Sequence, residues 1–130
     1  MSKDISQEYK VVSLLHSTSI TATNTGANED VEVFEDDALV IVDVGSVVGT
    51  GVTVTVVGSL VATPTVYNQT LATFVIATGA SIGAVRAKLT GIKNIRSVAT
   101  KGDANAVTVG VSVLVKPVVK SNTLNSATLA

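Results

Sequence analysis

The sequence contains no cysteine and no tryptophan, a single histidine and two prolines, and only 3% of its 130 residues are aromatic. Without cysteine there is no disulfide framework and no thiolate metal site, and nothing that fixes a redox compartment. The rings are Tyr9, Phe34, Tyr67 and Phe74. So few argue against a sugar-binding platform, and none interleaves with the basic residues as stacking on single-stranded nucleic acid requires. A formal net charge of −1 gives no general attraction to nucleic acid or to an anionic membrane. His16 alone makes a zinc site improbable, and no strand–turn–helix elbow offers it a serine nucleophile. It is expected in a loop or at a strand end, and the chain is expected not to be an enzyme.

Charge is also missing locally: none occurs between Val44 and Val85. A soluble monomer usually carries Lys or Glu on its outer sheet faces and edges. A long Val/Thr/Gly/Ala stretch therefore points to a surface covered by another subunit. It is a poor membrane span, because Val alternates with Thr and the run is broken by Gly and Pro64. A membrane barrel would need more strands than one copy supplies.

What the chain does contain is valine, alanine and threonine, within a hydrophobic share of 46%. Val and Thr are branched at Cβ and suit a pleated surface. In Val107-Thr108-Val109-Gly110-Val111-Ser112-Val113-Leu114-Val115-Lys116 every odd residue is Val, which is period two with one face inward. Val52, Val54 and Val56 alternate with threonines in the same way. Ala38-Leu39-Val40-Ile41-Val42-Asp43-Val44 is apolar on both faces, as for a central strand covered on both sides. Further strands are expected at 11–15, 19–23, 71–77, 84–89 and 95–100. Turn residues separate them at 24–28, 49–51, 78–80 and 101–105. Residues 89–95 are the one segment read as a short helix or helical turn.

Such strands imply an all-β, single-domain antiparallel β-sandwich, jelly-roll or immunoglobulin-like, with little or no helix. The expected division is an N-terminal arm at 1–8, the sandwich at 9–116, and a flexible tail or arm at 117–130. Residues 1–8 are polar, with no apolar segment behind them, so no secretory signal is expected.

Other motifs have plain readings. Gly45-Ser46-Val47-Val48-Gly49-Thr50-Gly51 has glycine spacing like a dinucleotide-binding loop, but a strand follows where a helix is required. It is read as a glycine-rich turn. Lys101-Gly102-Asp103 resembles an integrin-binding tripeptide and is read as a hairpin turn. Asn68-Gln69-Thr70 fits a glycosylation pattern but stays bare without secretion. Glu29, Asp30, Glu32, Glu35, Asp36, Asp37 and Asp43 form an acidic block, and Arg86, Lys88, Lys93, Arg96 and Lys101 a basic one. The acidic block from Glu29 to Asp37 offers oxygens to a cation such as calcium but lacks EF-hand spacing. It is read as a solvated loop, with contact to the basic region of a neighbouring copy as another use. No metal, cofactor or catalytic residue is assigned.

Two blocks carry a family resemblance. Asp37-Ala38-Leu39-Val40-Ile41-Val42-Asp43-Val44-Gly45-Ser46-Val47-Val48-Gly49-Thr50 and Val85-Arg86-Ala87-Lys88-Leu89-Thr90-Gly91-Ile92-Lys93-Asn94-Ile95-Arg96-Ser97-Val98-Ala99-Thr100 resemble the strand-and-turn blocks of small tailed-bacteriophage structural proteins of the head decoration or cement type. Ser19-Ile20-Thr21-Ala22-Thr23-Asn24-Thr25-Gly26 resembles that family's early strand and turn, and a final alternating strand follows in both. The chain departs at Gly58-Ser59-Leu60-Val61-Ala62-Thr63-Pro64-Thr65-Val66-Tyr67, where the family has a polar hairpin, and at Asn94-Ile95, where it often has an aromatic. The resemblance implies a β-sandwich of the virion. It would be made in the host cytoplasm, bind the major capsid protein on the outer capsid surface, stabilise the shell, and associate with itself as a homo-oligomer such as a trimer, without nucleic acid or membrane. A tail, baseplate or fibre-attachment protein is the alternative from the same particle. A ligand- or carbohydrate-binding sandwich is the alternative of another class.

Overall fold

The computed structural model describes residues 9–47, 49, 51–63 and 66–118. The expected arm at 1–8 and most of the expected tail lie outside these residues. Among the described residues nine strands follow one another: β1 (Lys10–Ile20), β2 (Asn24–Thr25), β3 (Glu29–Asp30), β4 (Phe34–Val47), β5 (Val52–Ser59), β6 (Gln69–Ile76), β7 (Gly79–Lys88), β8 (Asn94–Lys101) and β9 (Val107–Pro117). They form two antiparallel sheets. One has the order β1-β9-β4-β7, the other β2-β8-β5-β6, with β3 also paired to β8. A four-stranded and a five-stranded sheet wound in this order are a jelly roll whose second strand is split into β2 and β3, which decides against the immunoglobulin-like alternative.

Alternation builds the core. Val107, Val109, Val111, Val113 and Val115 of β9 face inward, as do Val40, Val42 and Val44 of β4 and Val52, Val54 and Val56 of β5. Ile95 and Ala99 of β8 meet them from the other sheet. Each such valine contributes on the order of 1.5–2 kcal/mol of transfer free energy. Short branched side chains fill the space between the sheets without large rings.

Three local expectations are corrected. The strands expected at 11–15 and 19–23 are one strand, β1, whose pairing with β9 slips between Ser13 and Leu15 and again between Leu15 and Thr18. These irregularities break the alternation and made one strand read as two. Residues 89–95 are not helical: Ile92 N–H donates to the Leu89 carbonyl at 2.8 Å, and Gly91 sits at φ +77°. That is a β-turn with glycine where a left-handed residue is needed. Finally, β4 is central, between β9 and β7, but covered on one face only: Leu39 and Ile41 on its outer side are half-buried and Asp43 is exposed.

The connections after β4, β6 and β8 all pass from one sheet to the other, so the segment at 101–105 is not a hairpin turn. Among the described residues only β5 and β6 are consecutive partners in one sheet. One end of the sandwich therefore holds the tight turns after β4, β6 and β8. The other holds the turn between β3 and β4, the β5–β6 loop and the β7–β8 turn. Tyr9 and Val118 lie at this second end, where Val118 N–H donates to the Val33 carbonyl at 2.9 Å.

Candidate interaction surfaces

The described residues of the β5–β6 loop, 60–63 and 66–68, carry a polar brace. Asn94 begins β8 and is 2% exposed. Its Nδ2 donates to the carbonyls of Val61 at 3.1 Å and Ala62 at 2.7 Å, and its Oδ1 accepts from Asn28 Nδ2 at 2.9 Å. Asn28 Oδ1 accepts from the Tyr67 hydroxyl, and the Arg96 guanidinium lies 4.0 Å from the Tyr67 ring centroid. Arg96 thus packs on an aromatic face, where a cation is attracted by the ring quadrupole. The brace holds apolar residues on display: Leu60, Val61 and Val66 are exposed, and Val33 is exposed on the neighbouring turn. Ser59, Leu60, Val61, Thr63, Val66 and Asn68 line a shallow groove of about 320 Å³ there. Apolar tips on a rigid support favour binding, since little ordering entropy remains to be lost. This loop is the segment where the sequence departs from the decoration-protein pattern.

Around the same end the acidic and basic blocks meet within one chain. Lys88 Nζ lies 2.6 Å from Asp37 Oδ1, directly across the β4–β7 ladder, and Lys93 Nζ lies 2.9 Å from Glu32 Oε2. The expected contact between acidic and basic regions of neighbouring copies is, for these four residues, satisfied internally. The hydrogen bond from Lys88, and then its charge, hold the Asp37 carboxyl below its ordinary pKa. The same bond and charge raise Lys88, and Glu32 raises Lys93. A depressed carboxyl stabilises the fold above its ordinary pKa, near 3.9, and that contribution is lost as pH falls through the lower folded-state value. A raised lysine contributes below about pH 10.4 and loses its contribution as pH rises through the higher folded-state value. Both partners of the Asp37–Lys88 pair keep about three-quarters of their side-chain surface in water. Replacing Asp37 with Asn is therefore expected to move the thermal midpoint by no more than about 2 °C in physiological salt. A drop several times larger, persisting in high salt, would mean that the pair organises the loop end.

The two sides of the sandwich differ in how their edges are protected. On one side the edges are β1, interrupted by its two register slips, and the two-residue strands β2 and β3. Short and irregular edges of this kind resist pairing with another chain. On the other side the edges are β6 and β7. Strand β7 pairs with β4 without interruption over eight residues, Asp37↔Lys88 to Val44↔Ser81. Val75 on β6 and Ile82 on β7 are 75% and 74% exposed. No charge lies anywhere on β6 or on residues 79–85 of β7. The Phe74 ring reaches across from β6 to lie over Gly83, where a Cβ would approach it to 2.8 Å, and closes the gap between the sheets.

The other residues singled out in the sequence are scattered. His16 is exposed within β1, not at a strand end, with Ser13 Oγ 3.5 Å from its Nδ1. Gly49, at φ +82°, turns the chain between β4 and β5, while Val48 and Thr50 of that motif lie outside the described residues. A Cβ on Gly49 would run into the side chains of Asp103 and Asn105. Phe34 lies under the Lys10 ammonium, 5.9 Å from the ring centroid. With Phe74 on Gly83 and Tyr67 under Arg96, the four rings do not share a platform. Among the described residues no three His, Asp or Glu side chains converge as metal ligands. Sequence reading missed the pair Lys101–Asp103. Lys101 points between the sheets with 0% side-chain exposure, and its Nζ lies 3.4 Å from Asp103 Oδ1.

No protein-family model matches the chain, and no curated protein matches it. Among solved structures, the SPBc2 prophage-derived protein YomS has a similar fold. It is 12% identical, with 82% of this chain and 93% of that one covered and a TM-score of 0.51. The Bacillus endospore appendages, described as a novel family of disulfide-linked pili, match at 14% identity, with 91% and 97% covered and a TM-score of 0.47. The likeness to YomS extends over nearly the whole sandwich, so the two share the fold.

Proposed function

We propose that this protein is a non-catalytic structural subunit of a phage particle, a head decoration or cement protein. It binds the outer surface of the capsid through the braced loop end and stabilises the shell. The observation that carries this reading is the clamped β5–β6 loop, which presents Leu60, Val61 and Val66 to solvent from a fixed support. The sequence blocks that resemble head decoration proteins and the fold shared with a prophage-derived protein both support it. A single such contact is modest. Many copies gripping neighbouring capsid subunits add up by avidity.

The test is to add purified protein to capsids that lack it and follow rupture under heating or at low salt. Saturable binding and a delayed rupture are expected, with both lost when Leu60, Val61 and Val66 are replaced by Ser. Absence of binding overturns the reading. Copy number on native particles separates head from tail: hundreds per particle fit the shell, and a handful would place the protein in a tail or baseplate.

A further inference from the structure

We infer that β7 is a self-association edge, and that two copies join through it in antiparallel register about a two-fold axis at Ile82. Alternate residues of β7 turn their N–H and C=O groups away from β4, and an unbroken row of such groups templates another strand. The partner that fits this row best is β7 itself. Placing Ile82 of one copy opposite Ile82 of the other pairs Ser81 with Gly83, Ala80 with Ala84, and Gly79 with Val85. The whole uncharged run is then matched against itself. Gly, Ala and Ser beside the axis let the backbones approach, and the two Ile82 side chains, each 74% exposed in the single copy, cover one another.

Edge regularity chooses between this and the competing arrangement, in which β7 of one copy pairs with β1 of the next. In the first sheet Val11, Leu114, Leu39 and Arg86 lie in one row, and Lys10, Val115, Ala38 and Ala87 in the row beside it. A level β7–β1 junction would set Lys10 of one copy opposite Ala87 of the other, and the unbroken edge of β7 would meet an edge whose own register slips twice, so no continuous ladder could form. The two-fold arrangement matches residues 79–85 of the two strands and leaves Arg86 and Lys88 of each copy beyond the start of the other's β7, so the two clusters of positive charge lie at opposite ends of the dimer.

Antiparallel pairing also points the two braced loop ends in opposite directions. On the decoration reading, on which this last consequence rests, the dimer is a two-ended clip that grips two neighbouring capsid subunits. The pairing itself needs no capsid, so its test is separate from capsid binding.

The full chain is examined by sedimentation and light scattering across concentration, alone and as Ile82→Lys, with Val11→Lys on the opposite edge as control. A dimer is expected for the unaltered chain and for Val11→Lys. Ile82→Lys, which sets two ammonium groups face to face at the axis, is expected to weaken it roughly 100-fold while circular dichroism stays unchanged. Because the chain has no cysteine, Ile82→Cys gives a second readout. It is expected to form a disulfide-linked dimer under mild oxidation, whereas Val11→Cys is not. A monomer at all concentrations, a dimer indifferent to Ile82→Lys, or open-ended polymers blocked by Val11→Lys would each overturn the inference.

Discussion

Asp103→Ala is expected to cost roughly 3 kcal/mol of folding stability, and to cost far less once Lys101 has been replaced by Met. Lys101 stands opposite Val52 in the β5–β8 ladder and points into the space between the sheets. Its side chain is completely buried, and its ammonium has no hydrogen-bond partner among the described residues. Asp103 Oδ1, 3.4 Å away, offsets that charge, and the same oxygen accepts from the Asn105 N–H at 3.0 Å. Removing the carboxylate leaves a dry cation, whose desolvation is then uncompensated. The figure sits at the low end for a buried pair because Asp103 keeps 25% of its side-chain surface in water. In Lys101→Met an apolar chain of similar length fills the same space, so that variant is expected within about 1 kcal/mol of the unaltered protein. Denaturant titration of the four proteins measures the coupling, and the Asp103→Ala midpoint should fall by about 10 °C. Equal losses from Asp103→Ala with Lys101 present and absent would show that the turn, not the ion pair, is what Asp103 supports.

The period-two runs at 52–56 and 107–116 were legible because alternation is a local property, and it survives in β5 and β9. What failed locally has a physical cause in each case. The slips in β1 put Leu14 and Leu15 side by side, which no strict alternation allows. At 89–92 the spacing of apolar residues came from a turn that packs Leu89 and Ile92 against the core, with Gly91 supplying the reversal. Sheet membership was not legible, because antiparallel neighbours such as β4 and β9 lie far apart along the chain. For the same reason the acidic and basic blocks read as two surfaces, although 51 residues separate Lys88 from Asp37 in sequence and 2.6 Å in space. The uncharged stretch is expected from the sequence to be a surface covered by another subunit. That it runs from the end of β4 through the core strand β5 and the loop after it to the two adjacent edges β6 and β7 follows only from the topology.

Asn94→Asp is expected to be worse than Asn94→Ala, and the difference between them is expected to depend on pH. The alanine variant loses three hydrogen bonds, and the freed carbonyls of Val61 and Ala62 can turn toward water on an exposed loop, so the cost is about 2–3 kcal/mol. The aspartate variant keeps an acceptor for Asn28 but aims a buried carboxylate at two carbonyl oxygens, which adds desolvation and repulsion. Both effects raise the folded-state pKa of the introduced group above its unfolded value. Its penalty is therefore complete above the raised folded pKa and shrinks as pH falls toward the unfolded value near 3.9, where the protonated acid can donate to one carbonyl. Stability curves at pH 7 and pH 4.5 should converge for the two variants. Hydrogen exchange at the amides of residues 60–62 should be fast in both at neutral pH, and slower for Asn94→Asp at the lower pH after correction for intrinsic rates. Identical stability and identical pH response would mean that Asn94 does not hold the loop, and that its exposed apolar residues lack the fixed support on which the proposed capsid binding depends.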